Sequence, residues 1–139
     1  MATIQSHVTR EVIAMDAATP CREAAKVMAE KKIGSIAVRE GGRIVGVVTE
    51  RDMVVRVLAS GDTGAMSIGE AMRTDVPAIA PACSEKDCSD RMRDHYTRHL
   101  LVEDEGKVVG IISMRDVIRL MLAEKEFLIG QLQTYIDGR

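Results

Sequence analysis

The sequence predicts a mixed α/β (α+β) fold in which one β-α-β-β-α motif occurs twice in tandem. Three observations predict it. An apolar strand pattern ends in a tetrad of residues, Thr49–Asp52; the pattern recurs 64 residues later, with the second tetrad at Ser113–Asp116; and hairpin-turn residues recur at the same offset. The stretch covers residues 42–58 in the first copy and 106–122 in the second. A recurrence of this length indicates an internal duplication.

The repeat extends without a gap on the N-terminal side of this stretch. Identical residues at the 64-residue offset include these pairs: Ile4 and Ile68, Val12 and Val76, Ala14 and Ala78, Met28 and Met92, Val38 and Val102. We therefore predict a first motif over residues 4–58, a connector over 59–67, a second motif over 68–122 and a C-terminal helical extension over 123–139.

Each motif is predicted to contain the same elements in the same order. They are, for the first and second copy, an extended segment (12–15, 76–79), a helix (22–32, 85–95), a strand (35–39, 99–103), a hairpin turn (41–42, 105–106), an apolar strand and a helix. The apolar strand of the first copy, residues 44–48, is rich in β-branched residues. Thr49 then caps the following helix, and Asp52 lies in its first turn, where the helix dipole favours an anion.

Two features leave alternatives open. Gly46 and Gly110 lie inside strand patterns, where a glycine indicates either close packing of another backbone or the approach of a ligand. Residues 123–136 carry apolar side chains at helical spacing and would extend the last helix. This extension would either pack against its own domain or form a dimer contact.

Composition excludes several classes of function. The net charge of −2 and the 2% content of aromatic residues argue against nucleic-acid binding and against binding to acidic membranes. No apolar run is long enough to span a membrane, and the first eleven residues lack the apolar core of a signal peptide. We therefore expect a cytoplasmic protein.

The cysteines and histidines do not indicate a metal or redox centre. Cys21, Cys83 and Cys88 show no C-x-x-C spacing and are interpreted as reduced thiols; a redox role would require Cys83 and Cys88 to meet. His95 and His99 are four residues apart, but His99 falls in a predicted strand, so we predict no metal site.

The two tetrads and their approaches resemble the CBS domain, and two in tandem resemble a Bateman module. The resemblance lies in GVVTERD (46–52) and GIISMRD (110–116), in IAV (36–38) and RHLLV (98–102), and in IGEAMRT (68–74). It covers most of the chain. It implies two motifs related by a pseudo-twofold axis, forming one module with clefts between them.

The resemblance also implies the ligands, which are adenosine compounds: AMP, ADP, ATP, S-adenosylmethionine or NAD. Asp52 and Asp116 would hold ribose hydroxyls, since an ionised carboxylate only accepts hydrogen bonds. Thr49 and Ser113 would bind phosphate or hydroxyl groups, with Arg51 and Arg115 as nearby donors. Adenine would lie against apolar strand residues: Val12, Ala14, Ile36, Val38, Val76, Ala78, Leu100 and Val102. As an alternative without a ligand, Thr49 and Ser113 would be ordinary helix caps, and Asp52 and Asp116 would be ordinary first-turn residues.

In the family, the aspartate of one copy commonly works with strand residues of the other copy. Asp52 would then meet Arg98 and His99, whereas Asp116 would meet Gly34 and Ser35. Because phosphate needs cationic donors, we predict on this basis that phosphate-bearing ligands prefer the Asp52 cleft.

The leading functional hypothesis is a regulatory adenosine-ligand sensor that signals to a protein target which the sequence does not identify. The alternative is a ligand-free dimerisation or scaffold protein. Family domains also occur inside inosine-monophosphate dehydrogenase, but that activity needs a barrel of about 250 residues. We therefore predict no enzymatic activity. A homodimer is predicted from eight apolar residues on the two helices after the tetrads: Met53, Val54, Val57, Leu58, Val117, Ile118, Met121 and Leu122.

Overall fold

The computed structural model of this chain describes Ile4 and residues 12–138. The part of the first predicted motif at residues 5–11, and most of the stretch in which no signal peptide is predicted, lie outside the described residues. The elements of the first half are β1 Ala14–Asp16, α1 Cys21–Lys31, β2 Ser35–Glu40, β3 Arg43–Thr49, α2 Glu50–Asp52 with a π-helical continuation Met53–Leu58, and α3 Ile68–Ala71. Those of the second half are β4 Ala78–Ile79, α4 Glu85–Asp94, β5 His99–Asp104, β6 Lys107–Ser113 and α5 Met114–Asp137.

The described residues form two compact units, and each unit has its own sheet. The first-repeat unit is Glu11–Val76, and the second-repeat unit contains Pro77–Arg139 together with Ile4. Their sheets have the strand orders β1-β2-β3 and β4-β5-β6. In both, the central strand runs parallel to the first strand and antiparallel to the third. The predicted mixed α+β fold is confirmed.

The two predicted hairpin turns are confirmed. Gly41 and Gly42 connect β2 to β3 with φ angles of 60° and 77°, and Glu105 and Gly106 connect β5 to β6 with 51° and 78°. Two successive positive φ angles are typical of type I′ turns, whose twist matches that of the flanking strands. These turns fix the strand register, so that Ser35 lies opposite Thr49 and His99 opposite Ser113.

The core of the first-repeat unit lies between helix α1 and the sheet. Helix α1 contributes Ala24 and Met28, which are four residues apart and therefore share a face. From the sheet, Ile36, Val38 and Val48 are fully buried in the same cluster. Alternate strand residues point to one face, which explains why positions 36 and 38 both enter the core.

Helix α3 completes this core, although the sequence did not predict a helix there. Its Ile68 is fully buried with the residues of the first-repeat unit. Ile4, the equivalent of Ile68 at the 64-residue offset, is fully buried in the core of the second-repeat unit. The compact units therefore differ from the sequence repeats in where Ile4 and Ile68 pack.

The backbone of Arg73 pairs with strand β3, and this contact explains why residue 46 is a glycine. Val47 and Arg73 exchange two backbone hydrogen bonds, with N–O distances of 3.0 and 2.9 Å. A Cβ atom at Gly46 would lie 2.5 Å from the carbonyl oxygen of Arg73. Of the two interpretations of Gly46, the structure supports close packing of another backbone.

Helix α5 confirms that the last helix is extended, since it runs for 24 residues. Only Val117 and Leu120 are buried, and every side chain over residues 125–137 is exposed. The expectation that this extension packs against its own unit is wrong for that portion. No described helix combines the length and the apolar character that a membrane span requires.

The predicted apolar surface needs a correction. Val57 and Val117 are buried in the cores of their units, and Met53 packs against the core of the first-repeat unit. The exposed apolar residues after the two tetrads are instead Val54, Val55, Leu58, Ile118, Met121 and Leu122. The reason is geometric, because the helical period turns positions 57 and 117 inward.

Candidate functional site

The first tetrad closes the junction between β3 and α2 with a reciprocal cap. The Oγ1 atom of Thr49 accepts a hydrogen bond from the backbone N–H of Asp52 at 3.2 Å and donates to Asp52 Oδ2 at 3.0 Å. Asp52 Oδ2 also accepts from the backbone N–H of Thr49 at 2.9 Å. This is a capping box in which Asp takes the place of the usual Glu or Gln. The predicted cap at Thr49 is confirmed.

The other oxygen of Asp52 faces a cation that the sequence analysis missed. Asp52 is only 5% exposed, and its Oδ1 lies 3.6 Å from Nε of Arg56, one helical turn later. The Arg56 side chain is anchored, because Nη1 donates to the carbonyl oxygen of Met72 at 3.0 Å. The four-residue spacing of Asp52 and Arg56 is the sequence signal that could have identified this pair.

The second tetrad repeats the cap but not the ion pair. Asp116 Oδ2 accepts from both the backbone N–H and the Oγ of Ser113 at 2.9 Å, and the Asp116 N–H donates back at 3.2 Å. The position equivalent to Arg56 is Leu120, which is buried. Asp116 is half-buried, and no described residue forms a hydrogen bond or ion pair with its Oδ1 atom. Among the described residues, the carboxylates of the two tetrads therefore differ in whether Oδ1 faces a cation.

In each unit the tetrad lies next to the start of the central strand. The backbone N–H of Glu50 donates to the carbonyl of Gly34 at 3.0 Å, and that of Met114 donates to the carbonyl of Arg98 at 2.8 Å. Ser113 also lies opposite His99 in the strand register. The second tetrad thus has an arginine and a histidine beside it within its own unit. The predicted pairing of Asp52 with Arg98 and His99 across the two copies stays a prediction.

The predicted adenine-contact residues fall into two groups. Four are fully buried in the cores of their own units: Ile36, Val38, Leu100 and Val102. The other four are half-buried: Val12, Ala14, Val76 and Ala78. Because the first group is enclosed by core side chains, only the second group is accessible without opening a core.

A third capping box provides a comparison within the chain. At the start of α4, the Ser84 N–H donates to Asp87 Oδ2 at 3.0 Å, and the Asp87 N–H donates to Ser84 Oγ at 3.2 Å. Asp87 is exposed and does not follow a β-strand directly. A capping box alone therefore does not distinguish a ligand site. The distinguishing feature of the two tetrads is their position at the end of a strand beside a second strand.

The cysteines do not form a redox pair or a metal centre with the described residues. Cys83 packs against the core cluster that contains Cys88. Burial raises the pKa of the Cys88 thiol to about 11, and the nearby Cys83 makes a smaller contribution in the same direction. The Cys88 thiol is therefore neutral at physiological pH. All three cysteines are free thiols. In the described part of the chain, no group of three or more His, Cys, Asp or Glu side chains could hold a metal ion.

Comparison with known proteins gives a consistent result. The family model of the CBS domain matches residues 4–59 and 68–123. The CBS domain-containing protein YhcV of Bacillus subtilis is 31% identical over 117 residues, which cover 84% of each chain. A solved structure from Burkholderia ambifaria, a candidate signal-transduction protein with CBS domains, is 35% identical, with a TM-score of 0.78 and coverage of 82% of this chain and 85% of that one.

One further solved structure contains ligands. The CBS domain pair of protein MJ0100 was determined in complex with methylthioadenosine and S-adenosyl-L-methionine. It covers 88% of this chain and 98% of its own, with a TM-score of 0.77. At 22% identity, the likeness establishes a shared fold.

Proposed function

Because this chain belongs to the CBS-domain family and carries two copies of the domain, we propose that it is a regulatory module that binds an adenosine ligand. The ligand is AMP, ADP, ATP, NAD or S-adenosylmethionine, and its occupancy is signalled to a protein target. One observation carries the proposal: each unit holds a capped carboxylate where a strand ends beside a second strand. The adenosine ligands of the MJ0100 domain pair support this ligand class.

The aspartates would recognise the ribose. No described residue forms a hydrogen bond with Asp116 Oδ1, and a carboxylate accepts from the two adjacent hydroxyls of a ribose without competition from a proton of its own. Asp52 is less suited to this role because it is more deeply buried and already faces Arg56. We therefore propose that the second tetrad binds ribose more strongly than the first.

The hydroxyl groups of Thr49 and Ser113 can act towards a ligand only as hydrogen-bond acceptors. The single proton of Thr49 Oγ1 goes to Asp52, and that of Ser113 Oγ goes to Asp116. These oxygens can therefore accept a hydrogen bond from a ligand hydroxyl, but they cannot donate one to a phosphate while the cap is intact. Phosphate would have to be held by the exposed guanidinium groups of Arg51 and Arg115 and by the Arg98 and His99 pair.

Adenine would lie against the accessible apolar residues near the first strand of each sheet. These residues are Val12 and Ala14 in the first-repeat unit, and Val76 and Ala78 near β4. We propose binding without turnover, since a sensor needs a ligand that is released unchanged. We place the protein in the cytoplasm, which suits three free thiols.

We also propose that the protein is a homodimer. Six exposed apolar residues follow the tetrads: Val54, Val55, Leu58, Ile118, Met121 and Leu122. Exposed apolar surface of this kind typically marks a protein interface. Analytical ultracentrifugation at micromolar concentration should give twice the chain mass of 15.2 kDa, and a clean monomer would contradict the proposal.

A thermal-shift screen tests ligand binding. The panel is AMP, ADP, ATP, NAD, NADH and S-adenosylmethionine, with guanosine monophosphate as the matched control. A ligand at 100 times its dissociation constant should stabilise the protein by about 2.7 kcal/mol. Chromatography of the ligand after incubation should recover it unchanged.

A ligand-free scaffold is the second candidate, and the exposed apolar side chains of α5 favour it. The same screen separates the two functions. A dimer that no adenosine compound stabilises, by thermal shift or by calorimetry, would overturn the sensor and support the scaffold.

A further inference from the structure

Helix α5 exposes an apolar stripe that extends well beyond Val117 and Leu120, its two residues buried in the core of the unit. Along the helix, positions 118, 122, 125, 129, 132 and 136 follow one another at alternating steps of four and three residues, so they share one face. The α5 stripe consists of these apolar members and their neighbours on one side: Ile118, Leu122, Ile129, Leu132, Ile136, Met121, Leu128 and Tyr135. All eight are exposed, from 40% for Met121 to 83% for Tyr135.

The exposed portion of helix α5, residues 125–137, gains little stability from burial. Residues 125–137 form about three and a half turns without a single buried side chain. Isolated helices of this length are marginal in water. Gly130 lowers the helix propensity further, and nothing lies within 4 Å of the position its Cβ atom would occupy.

We propose that the α5 stripe pairs with the α5 stripe of a second copy of this chain, with the two helices antiparallel. The proposal rests on the proposed homodimer and identifies its surface and orientation. The eight side chains, which are 40% to 83% exposed, present an apolar area on the order of 800 Å², which is the contribution of one partner to a standard interface. One helix face thus supplies enough surface for a stable dimer.

The position of Lys125 selects the orientation. Lys125 occupies the middle of the stripe, between Leu122 and Ile129. In a parallel pair it would lie against Lys125 of the other copy, and like charges at a helix seam destabilise the pair. In an antiparallel pair that superimposes the two stripes, Leu122 lies opposite Leu132, and Lys125 lies opposite Ile129, one turn from Glu126 of the other copy.

The charges along the helix favour the same orientation. The C-terminal half, residues 126–137, carries Glu126 and Asp137, whereas the N-terminal half, residues 114–125, carries Arg115, Arg119 and Lys125 against Asp116 and Glu124. An antiparallel arrangement brings the acidic half of one helix towards the basic half of the other. A parallel arrangement would place acidic half against acidic half. The helix dipoles also attract each other when they run in opposite directions.

Sedimentation of two charge-matched variants tests the surface. Leu132→Glu places a carboxylate in the stripe, whereas Thr134→Glu places the same group on the opposite side of the helix. Both positions are exposed, so neither variant alters a core. We expect the unchanged chain and Thr134→Glu to sediment as dimers, and the dimer dissociation constant of Leu132→Glu to rise at least 100-fold. Circular dichroism and the melting temperature check that both variants are folded.

Disulfide trapping tests the orientation. Two chains are mixed in a Cys83→Ser background, one carrying Leu122→Cys and the other, of different mass, carrying Leu132→Cys. The remaining native thiols, Cys21 and Cys88, are buried. Under mild oxidation we expect the 122–132 disulfide to form in excess over the 122–122 and 132–132 disulfides.

The outcomes separate this inference from the proposals on which it builds. A dimer that survives Leu132→Glu overturns the α5 surface but leaves the homodimer standing. A monomeric unchanged chain overturns both. Dominant 122–122 and 132–132 disulfides overturn the antiparallel orientation. Ligand binding is measured separately and does not depend on any of these results.

Discussion

The two tetrads share a sequence pattern and a hydrogen-bonding scheme, yet their carboxylates are in different states. Asp52 is almost fully buried and faces Arg56, while Asp116 is half-buried and has an oxygen that no described residue engages. The difference in ion pairing arises from one position, where Arg56 in the first copy corresponds to Leu120 in the second. A duplicated motif can therefore keep its local hydrogen bonds while the surroundings of its carboxylate diverge.

Substituting the two aspartates should separate these roles in the absence of ligand. Asp52→Ala leaves the buried Thr49 N–H without its acceptor, and an unpaired buried donor costs about 1–3 kcal/mol. Asp116→Ala removes the same bonds at a half-buried site, where losing a cap interaction costs about 1 kcal/mol. Urea denaturation at 25 °C measures both losses.

Asp87→Ala is the matched control for this experiment, because it opens the exposed capping box of α4. We expect its loss of stability to be no larger than that of Asp116→Ala. Equal losses for Asp52→Ala and Asp116→Ala would show that burial of Asp52 and its contact with Arg56 contribute nothing, and that the two sites are structurally equivalent.

Replacing Arg56 by the residue type of the second copy should make Asp52 Oδ1 available to a ligand. Arg56→Leu introduces the residue type found at Leu120 and removes the cation that faces Asp52. Since a partly exposed ion pair contributes about 0.2–1 kcal/mol, Asp52-dependent binding of AMP should strengthen by up to about fivefold. Isothermal titration calorimetry measures this change.

Arg43→Leu, which removes an exposed cation at the other end of β3, controls for the loss of charge. It should leave AMP affinity unchanged. If Arg56→Leu instead weakens AMP binding, then Arg56 acts as a ligand-binding cation, and its contact with Asp52 does not limit the first site.

The sequence predicted the elements whose signals are local. The hairpin turns follow from Gly41-Gly42 and Glu105-Gly106, and the caps follow from Thr49 and Ser113. The internal duplication made each of these signals visible twice. The extension of α5 followed from helical spacing alone.

Some of the missed features depend on contacts between distant residues, and others had a local signal that was overlooked. Helix α3 carries Ile68 into the core of the first-repeat unit, and its local signal, the cap residue Ser67 followed by Glu70, was overlooked. Ile36 and Val38 were predicted to contact adenine, but the strand pattern does not reveal that helix α1 packs in the same core cluster and that both side chains are fully buried. The ion pair of Asp52 and Arg56 was readable from its spacing and was overlooked.

Calorimetric titration of AMP into Asp116→Ala and Asp52→Ala tests the central claim most directly, namely that the second tetrad is the stronger ribose site. Losing hydrogen bonds to a charged group costs about 1.5–3 kcal/mol, which is roughly 10- to 150-fold in affinity. We expect Asp116→Ala to weaken AMP binding by that factor and Asp52→Ala to weaken it less. If Asp52→Ala abolishes AMP binding and Asp116→Ala leaves it intact, the claim is wrong, and the prediction that Asp52 works with Arg98 and His99 of the other copy is supported instead.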